Sequence, residues 1–408
     1  MKSTTRIQLS LMMFMEFFIW GGWFVTMNSY LSSIGASPSQ IGLAYGTQAL
    51  GAIIAPFIIG LIADRFFAAQ KILGVIHIIC AGLIYYVSTQ PDFTAFYPGI
   101  LIYMILFMPT LALVNAVAFK QMNNPEKQFS YVRVWGTIGW IIAGWAVGWF
   151  AWKDQQLANT FKMAAIVSAV LGIFSFFLPN TPPPKKGTQT SVGEILGIDA
   201  LKLLKDKNFA VFFFSSLLIC IPLAFYYQNA ENFIKTSLKV NNAAFQMTLG
   251  QISETAFMFL MPWFFMRFGV KKMLLFGMLA WILRYLLFGF GNGNELVWML
   301  YLGILLHGIC YDFFFVTGQI YTDQRAGERI RSSAQGMITL ATYGVGMLIG
   351  FWVAGQISEY YKTENGFIWK NIWLVPAGIA AFVMLFFLVF FKDPKKLSVE
   401  KEKQPVMP

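Results

Sequence analysis

Runs of about twenty predominantly apolar residues, the length an α-helix needs to cross the hydrocarbon core of a bilayer, recur twelve times in this chain. They lie at about 7–29, 41–62, 71–89, 97–118, 132–151, 160–178, 208–232, 244–266, 271–290, 296–320, 331–355 and 369–391. Lipid offers no hydrogen bonds to a bare backbone, so segments of this kind must close their own as helices. The composition agrees: 57% hydrophobic and 12% charged residues lie well outside the range of a soluble domain. Lys2 and Arg6 precede a first run too long for a signal-peptide core, and no small-x-small cleavage site closes it, so it is expected to stay as the first helix.

The formal net charge of +11 does not point to nucleic acid, because the cations follow the loops. With both termini placed in the cytoplasm, 22 of the 30 Lys and Arg fall on the inner side and 6 on the outer, with Arg133 and Arg284 left within the spans or at their edges. That is the bias expected of cytoplasmic loops, and an even number of spans returns both ends to one side. Cys80, Cys220 and Cys310 all sit inside predicted spans at no metal or redox spacing and read as small packing residues.

The stretch "PNTPPPKKGTQTSVGEILGIDALKLLKDKNF" divides the chain. Its opening cannot span. Its second part carries an S-x-x-E capping box at Ser191 and Glu194, then Ile195, Ile198 and Leu201 on one face, and is expected to lie as a helix along the inner membrane surface. The resulting organisation is an N-terminal six-helix half (1–180), a linker (181–207), a C-terminal six-helix half (208–392) and a cytoplasmic tail (393–408). A faint repeat, "APFIIGLIADRF" against "MPWFFMRFGVKK", superposes Pro56 on Pro262 and Gln48 on Glu254. Such internal symmetry accompanies transporters whose site lies between two repeats at the midplane.

Several isolated polar residues sit within the spans. An acid at mid-span costs about 2.5–3.5 kcal/mol on insertion scales, so Glu254 must face protein or water. Gln251, three residues earlier, shares its face, giving an amide and a carboxylate suited to a solute with neighbouring N–H, C=O or hydroxyl groups. Asp312, among aromatic residues, needs a partner or a proton. Arg133 is the candidate cation, on a helix stripe it shares with Thr137 and Trp140; should it lie out of reach, Asp312 becomes the better titrating group. His307 and Tyr311 stand four apart on span ten. Glu16, Trp20 and Trp23 form a stripe that either lines a cavity or packs span one, and His77 reads as structural. Glu231, near the outer end of span seven, reads as solvated, and Arg284 as a brace between helices.

The stretch "GLIADRF" resembles the loop 2–3 signature of the major facilitator superfamily. "RVWGTIGW", "QISET", "WILRY", "YDFFF" and "RSSAQGM", in that order, resemble its nucleoside:proton symporter family along nearly the whole chain. The resemblance implies an all-α, twelve-helix facilitator in two six-helix halves, which imports nucleosides with protons by alternating access. It implies substrate contacts at Arg133, Thr137, Trp140, Gln251, Glu254, His307 and Tyr311, and an inner gate at Asp64 and Arg65. Span seven departs from the family pattern: Ala224 and Tyr227 occupy the positions of its glutamine and asparagine. Gln228, Asn229 and Asn232 follow, so either the polar lining is rebuilt around Tyr227, Gln228 and Asn229, or another solute is preferred. Proton coupling is expected at Asp312 and Glu254. No phosphate loop, nucleophile elbow or metal cluster appears, so no enzyme, metal or cofactor is expected. A monomer in the inner membrane, handling a neutral solute and a proton and no nucleic acid, is the expectation; a sugar:proton symporter and a drug antiporter are the alternatives.

Overall fold

A computed structural model describes residues 2–58, 67–123, 125–182 and 198–392. The first half contains α1 (Ser3–Phe24), α2 (Met27–Ser33), α3 (Pro38–Ile58), α4 (Ala69–Val87), α5 (Phe93–Lys120), α6 (Pro125–Phe150) and α7 (Ala158–Ser175). The second contains α8 (Lys207–Leu238), α9 (Ala244–Phe290), α10 (Val297–Tyr311), α11 (Thr317–Thr339), α12 (Met347–Tyr360) and α13 (Trp369–Phe390). Nine helical stretches among the described residues are long and apolar enough to cross a membrane. One of them, α9, crosses twice, because Gly269 at φ 68° breaks its 47 residues into two arms. Counting α3 and α6 as well, the described residues supply twelve crossings.

Local chemistry fixes several helix ends. The Asp92 and Asp206 carboxylates cap α5 and α8 by accepting the Ala95 and Phe209 amide hydrogens, each at 3.0 Å. Span one is kinked rather than straight, with Val25 and Thr26 separating α1 from α2. Spans ten and eleven each contain a π-helical segment, Asp312–Val316 and Leu340–Gly346. Large apolar side chains such as Phe259, Met266 and Val389 stand outward, 69–80% exposed, as a lipid-facing surface requires. The described part of the linker, Ile198–Lys205, is a 3₁₀ helix beside α11 rather than the α-helix expected. Ser191 and Glu194, like Asp64 and Arg65, lie outside the described residues.

Within the first half α1 packs on α6 and α7, and α4 on α5 and α7; within the second α9 packs on α10 and α13, and α8 on α12 and α13. The halves meet through α3 with α12 and α6 with α9. Small residues bring these backbones together: a Cβ on Gly42 would lie 2.6 Å from the Phe351 carbonyl oxygen, and one on Gly144 2.6 Å from Thr248 Cγ2.

Candidate functional site

The first arm of α9 presents Gln251 and Glu254 towards the other half, and tight packing on α10 holds it there. Ser253 Oγ donates to the Leu305 carbonyl oxygen at 2.5 Å, and a Cβ on Gly308 would fall 2.6 Å from Ser253. His307 therefore lies beside Glu254, with Nε2 3.8 Å from Oε2. That is beyond a direct hydrogen bond, so both groups keep hydrogen-bonding capacity for a solute.

Arg284, on the second arm of α9, settles the state of His307. Its Nη1 donates to His307 Nδ1 at 2.9 Å, and a guanidinium has only donors. Nδ1 must accept, so the ring is neutral and carries its hydrogen on Nε2, facing Glu254. The guanidinium lies 3.6 Å over the Tyr226 ring, which in turn stacks on His307 at 5.2 Å and 26°. The bracing role read for Arg284 is thus played across α9, α8 and α10. Next along span ten, Tyr311 shares a hydroxyl–hydroxyl hydrogen bond with Tyr343 of the second π-helical segment.

From the other half, α6 brings Arg133, Thr137 and Trp140. The Arg133 guanidinium sits 4.0 Å over the Phe17 ring, and the carboxylate whose field it meets is Glu254. Trp140 packs edge-to-face on Trp20 at 5.5 Å. A small pocket at the seam is lined by Gly21, Trp140, Tyr226, Tyr227, Thr248 and Gln251, so residues of both halves share it.

Asp312 does not meet Arg133. It is fully buried at the start of its π-helical segment, and neither carboxylate oxygen has a hydrogen-bond partner among the described residues. The expected ion pair is not present among the described residues, where Arg133 lies over Phe17.

Three residues of α8 also sit differently from their expectation. With its amide oriented to suit both neighbours, Gln228 donates to Phe351 O at 3.1 Å and accepts from Gly355 N at 3.3 Å. Asn229 Oδ1 accepts from Ser358 Oγ at 3.2 Å. Both amides face α12 instead of joining Gln251 and Glu254. Glu231 is 1% exposed rather than solvated: it accepts from Ser29 Oγ and, at 3.0 Å, from the Ala243 amide. Asn28 Nδ2 donates to the Gln228 carbonyl oxygen, and Asn242 Nδ2 to Trp152 O at 3.0 Å. Every hydrogen bond joining the halves among the described residues lies towards the end of the bundle opposite the chain termini, so the halves are closed there.

A sequence model of the family described as "Nucleoside H+ symporter" matches residues 1–396. The chain belongs to the nucleoside:proton symporter family. Among similar members, YegT of Escherichia coli (strain K12) is 43% identical over 406 residues, covering 96% of this chain and 95% of its own. The xanthosine permease of the same organism is 31% identical over 410 residues, covering 96% and 98%. Crystal structures of the nucleoside transporter NupG superpose with TM-scores of 0.89 and 0.86 at 30% identity, covering 95% of this chain. The fold is therefore the two-half, twelve-helix facilitator fold, and this symporter is a transporter rather than an enzyme. The sequence missed Tyr226 and Tyr343. Tyr226 is one aromatic among many in α8, and no sequence period signals the π-helical segment that carries Tyr343.

Proposed function

We propose that this chain imports nucleosides on an inward proton gradient, with Gln251, Glu254, His307 and Tyr311 of one half and Arg133, Thr137 and Trp140 of the other lining the solute site. The observation that carries this reading is the position of Glu254 at the seam, facing Arg133 across it and the His307 donor beside it. A carboxylate and an N–H donor side by side, 3.8 Å apart, match the adjacent donor and acceptor groups of a base or a ribose, while Trp140, Tyr226 and Tyr227 offer flat surfaces for a ring. Asp312, buried and without a hydrogen-bond partner among the described residues, carries the proton, since an enclosed carboxylate is costly in its charged form.

Residues 1–180 and 208–392 act as the two rocking bodies, joined by 181–207, with 393–408 as a tail. The cation bias of the loops supports cytoplasmic termini in the inner membrane. The closed end is then the outer gate, and the conformation faces inward. One chain supplies both walls of the site, so a monomer in the lipid bilayer suffices.

Uptake of labelled uridine and adenosine into proteoliposomes tests the reading. Accumulation should require an inward proton gradient, and sugars should not compete. Gradient-driven uptake of a sugar in place of either nucleoside would replace this reading with the sugar:proton alternative.

A further inference from the structure

We propose that Glu16 and His77, inside the first half and apart from the solute site, form a second proton-binding site of the symporter. Both side chains are 0% exposed. His77 Nε2 lies 2.8 Å from Glu16 Oε2, and Thr110 Oγ1 lies 2.6 Å from Glu16 Oε1. His77 Nδ1 is 3.0 Å from Ser168 Oγ, and that hydroxyl also donates to the His77 carbonyl oxygen at 3.0 Å. Four helices, α1, α4, α5 and α7, thus converge on one buried pair.

Counting hydrogens gives the forms the pair can take. With the Ser168 hydroxyl donating to the His77 carbonyl oxygen, Ser168 accepts from Nδ1, which then bears a hydrogen. The 2.8 Å contact between Nε2 and Oε2 then needs one more, either on the ring as imidazolium beside carboxylate or on Glu16 as carboxylic acid beside neutral imidazole. Both arrangements hold one dissociable proton and are neutral as a pair. Removing it moves the ring hydrogen to Nε2, donating to a Glu16 carboxylate while Ser168 donates to Nδ1, and the pair then carries a net negative charge. The Thr110 hydroxyl, 2.6 Å from both Glu16 Oε1 and the Phe107 carbonyl oxygen, can donate to Glu16 in either form.

The surroundings supply no substitute cation among the described residues. Cys80 on α4 and Tyr103 on α5 meet the field of Glu16, α7 contributes the neutral Ser168, and Arg133 on α6 is held over the neighbouring Phe17 ring. Proton loss would therefore loosen α1 from α4, α5 and α7. Span one continues into α2, whose Asn28 and Ser29 bond to α8 at the closed end, so protonation of the pair bears directly on that closure.

The inference rests on transport being proton-coupled, and Glu16→Gln tests it in proteoliposomes with uridine. The amide keeps the shape and hydrogen-bonding capacity of the carboxyl, so uridine exchange should persist. An imposed gradient of about one pH unit supports about tenfold accumulation for each coupled proton, and Glu16→Gln should lose about that factor. Accumulation equal to that of the unmodified protein overturns the proposal. Should Glu16→Gln fail to fold, Ser168→Ala leaves the pair intact but removes the acceptor for Nδ1–H; it should shift the pH dependence of uptake, and an unchanged profile overturns the proposal equally. Infrared pH titration of the unmodified protein and the variants needs no solute. A protonated-carboxyl or imidazolium signal that titrates and responds to these substitutions supports the site even if uridine proves the wrong solute, and its absence overturns it.

Discussion

Glu254 and Asp312 are both acids of the C-terminal half, and the proposed function assigns them different roles because their surroundings differ. Glu254 has Arg133 across the seam and His307 beside it, so Glu254→Gln should weaken equilibrium nucleoside binding by about 1.5–3 kcal/mol, roughly ten- to a hundredfold in Kd, as expected for a hydrogen bond to a charged group. Calorimetric or scintillation-proximity binding measures this. Asp312 has no hydrogen-bond partner among the described residues, so Asp312→Asn should retain binding within a few fold and lose about tenfold of the accumulation driven by one pH unit; accumulation equal to that of the unmodified protein shows that this proton travels elsewhere. The pairing of Gln251 with Glu254 was legible in the sequence because two polar residues three apart in an apolar run can share only one face. The facing of Gln228 and Asn229 was not, since it depends on how α8 is rotated against α12. The Arg284 to His307 bond spans 23 positions and two helices, a relation that no local pattern encodes.

Spans were readable from apolar run length, and so was the break between 266 and 271 where Gly269 turns α9. The kink between α1 and α2 and the two π-helical segments were not. Where α3 meets α12, Gly42 admits no side chain without displacing the Phe351 backbone. Overpacking of this kind costs about 1–3 kcal/mol. Gly42→Val should accordingly hold the halves apart at the end opposite the termini, raise labelling of a cysteine placed there by an impermeant thiol reagent about five- to a hundredfold, and slow net uptake. Glu231→Ala should act in the same direction by leaving Ser29 and the Ala243 amide unpartnered. Unchanged labelling in both variants would show that these contacts do not govern closure.

At the scale of the whole molecule, the spans hold too few Lys and Arg to neutralise a phosphate, so nucleosides should compete for uptake while their nucleotides do not. Equal competition by a nucleotide would require a different pocket. A reporter fused after Lys392 should be found in the cytoplasm, and a periplasmic signal would reverse the assignment of the closed end. The seam also bears on the medium around a cell. Its bonds run mostly between buried amides, hydroxyls and backbone groups, with Lys235 and Asp154, 3.6 Å apart at the rim, as an ion pair open to water. Dissolved salt screens exposed charges over about 8 Å at physiological strength but barely reaches enclosed ones. Closure at this end should therefore change little with ionic strength on whichever side of the membrane it lies.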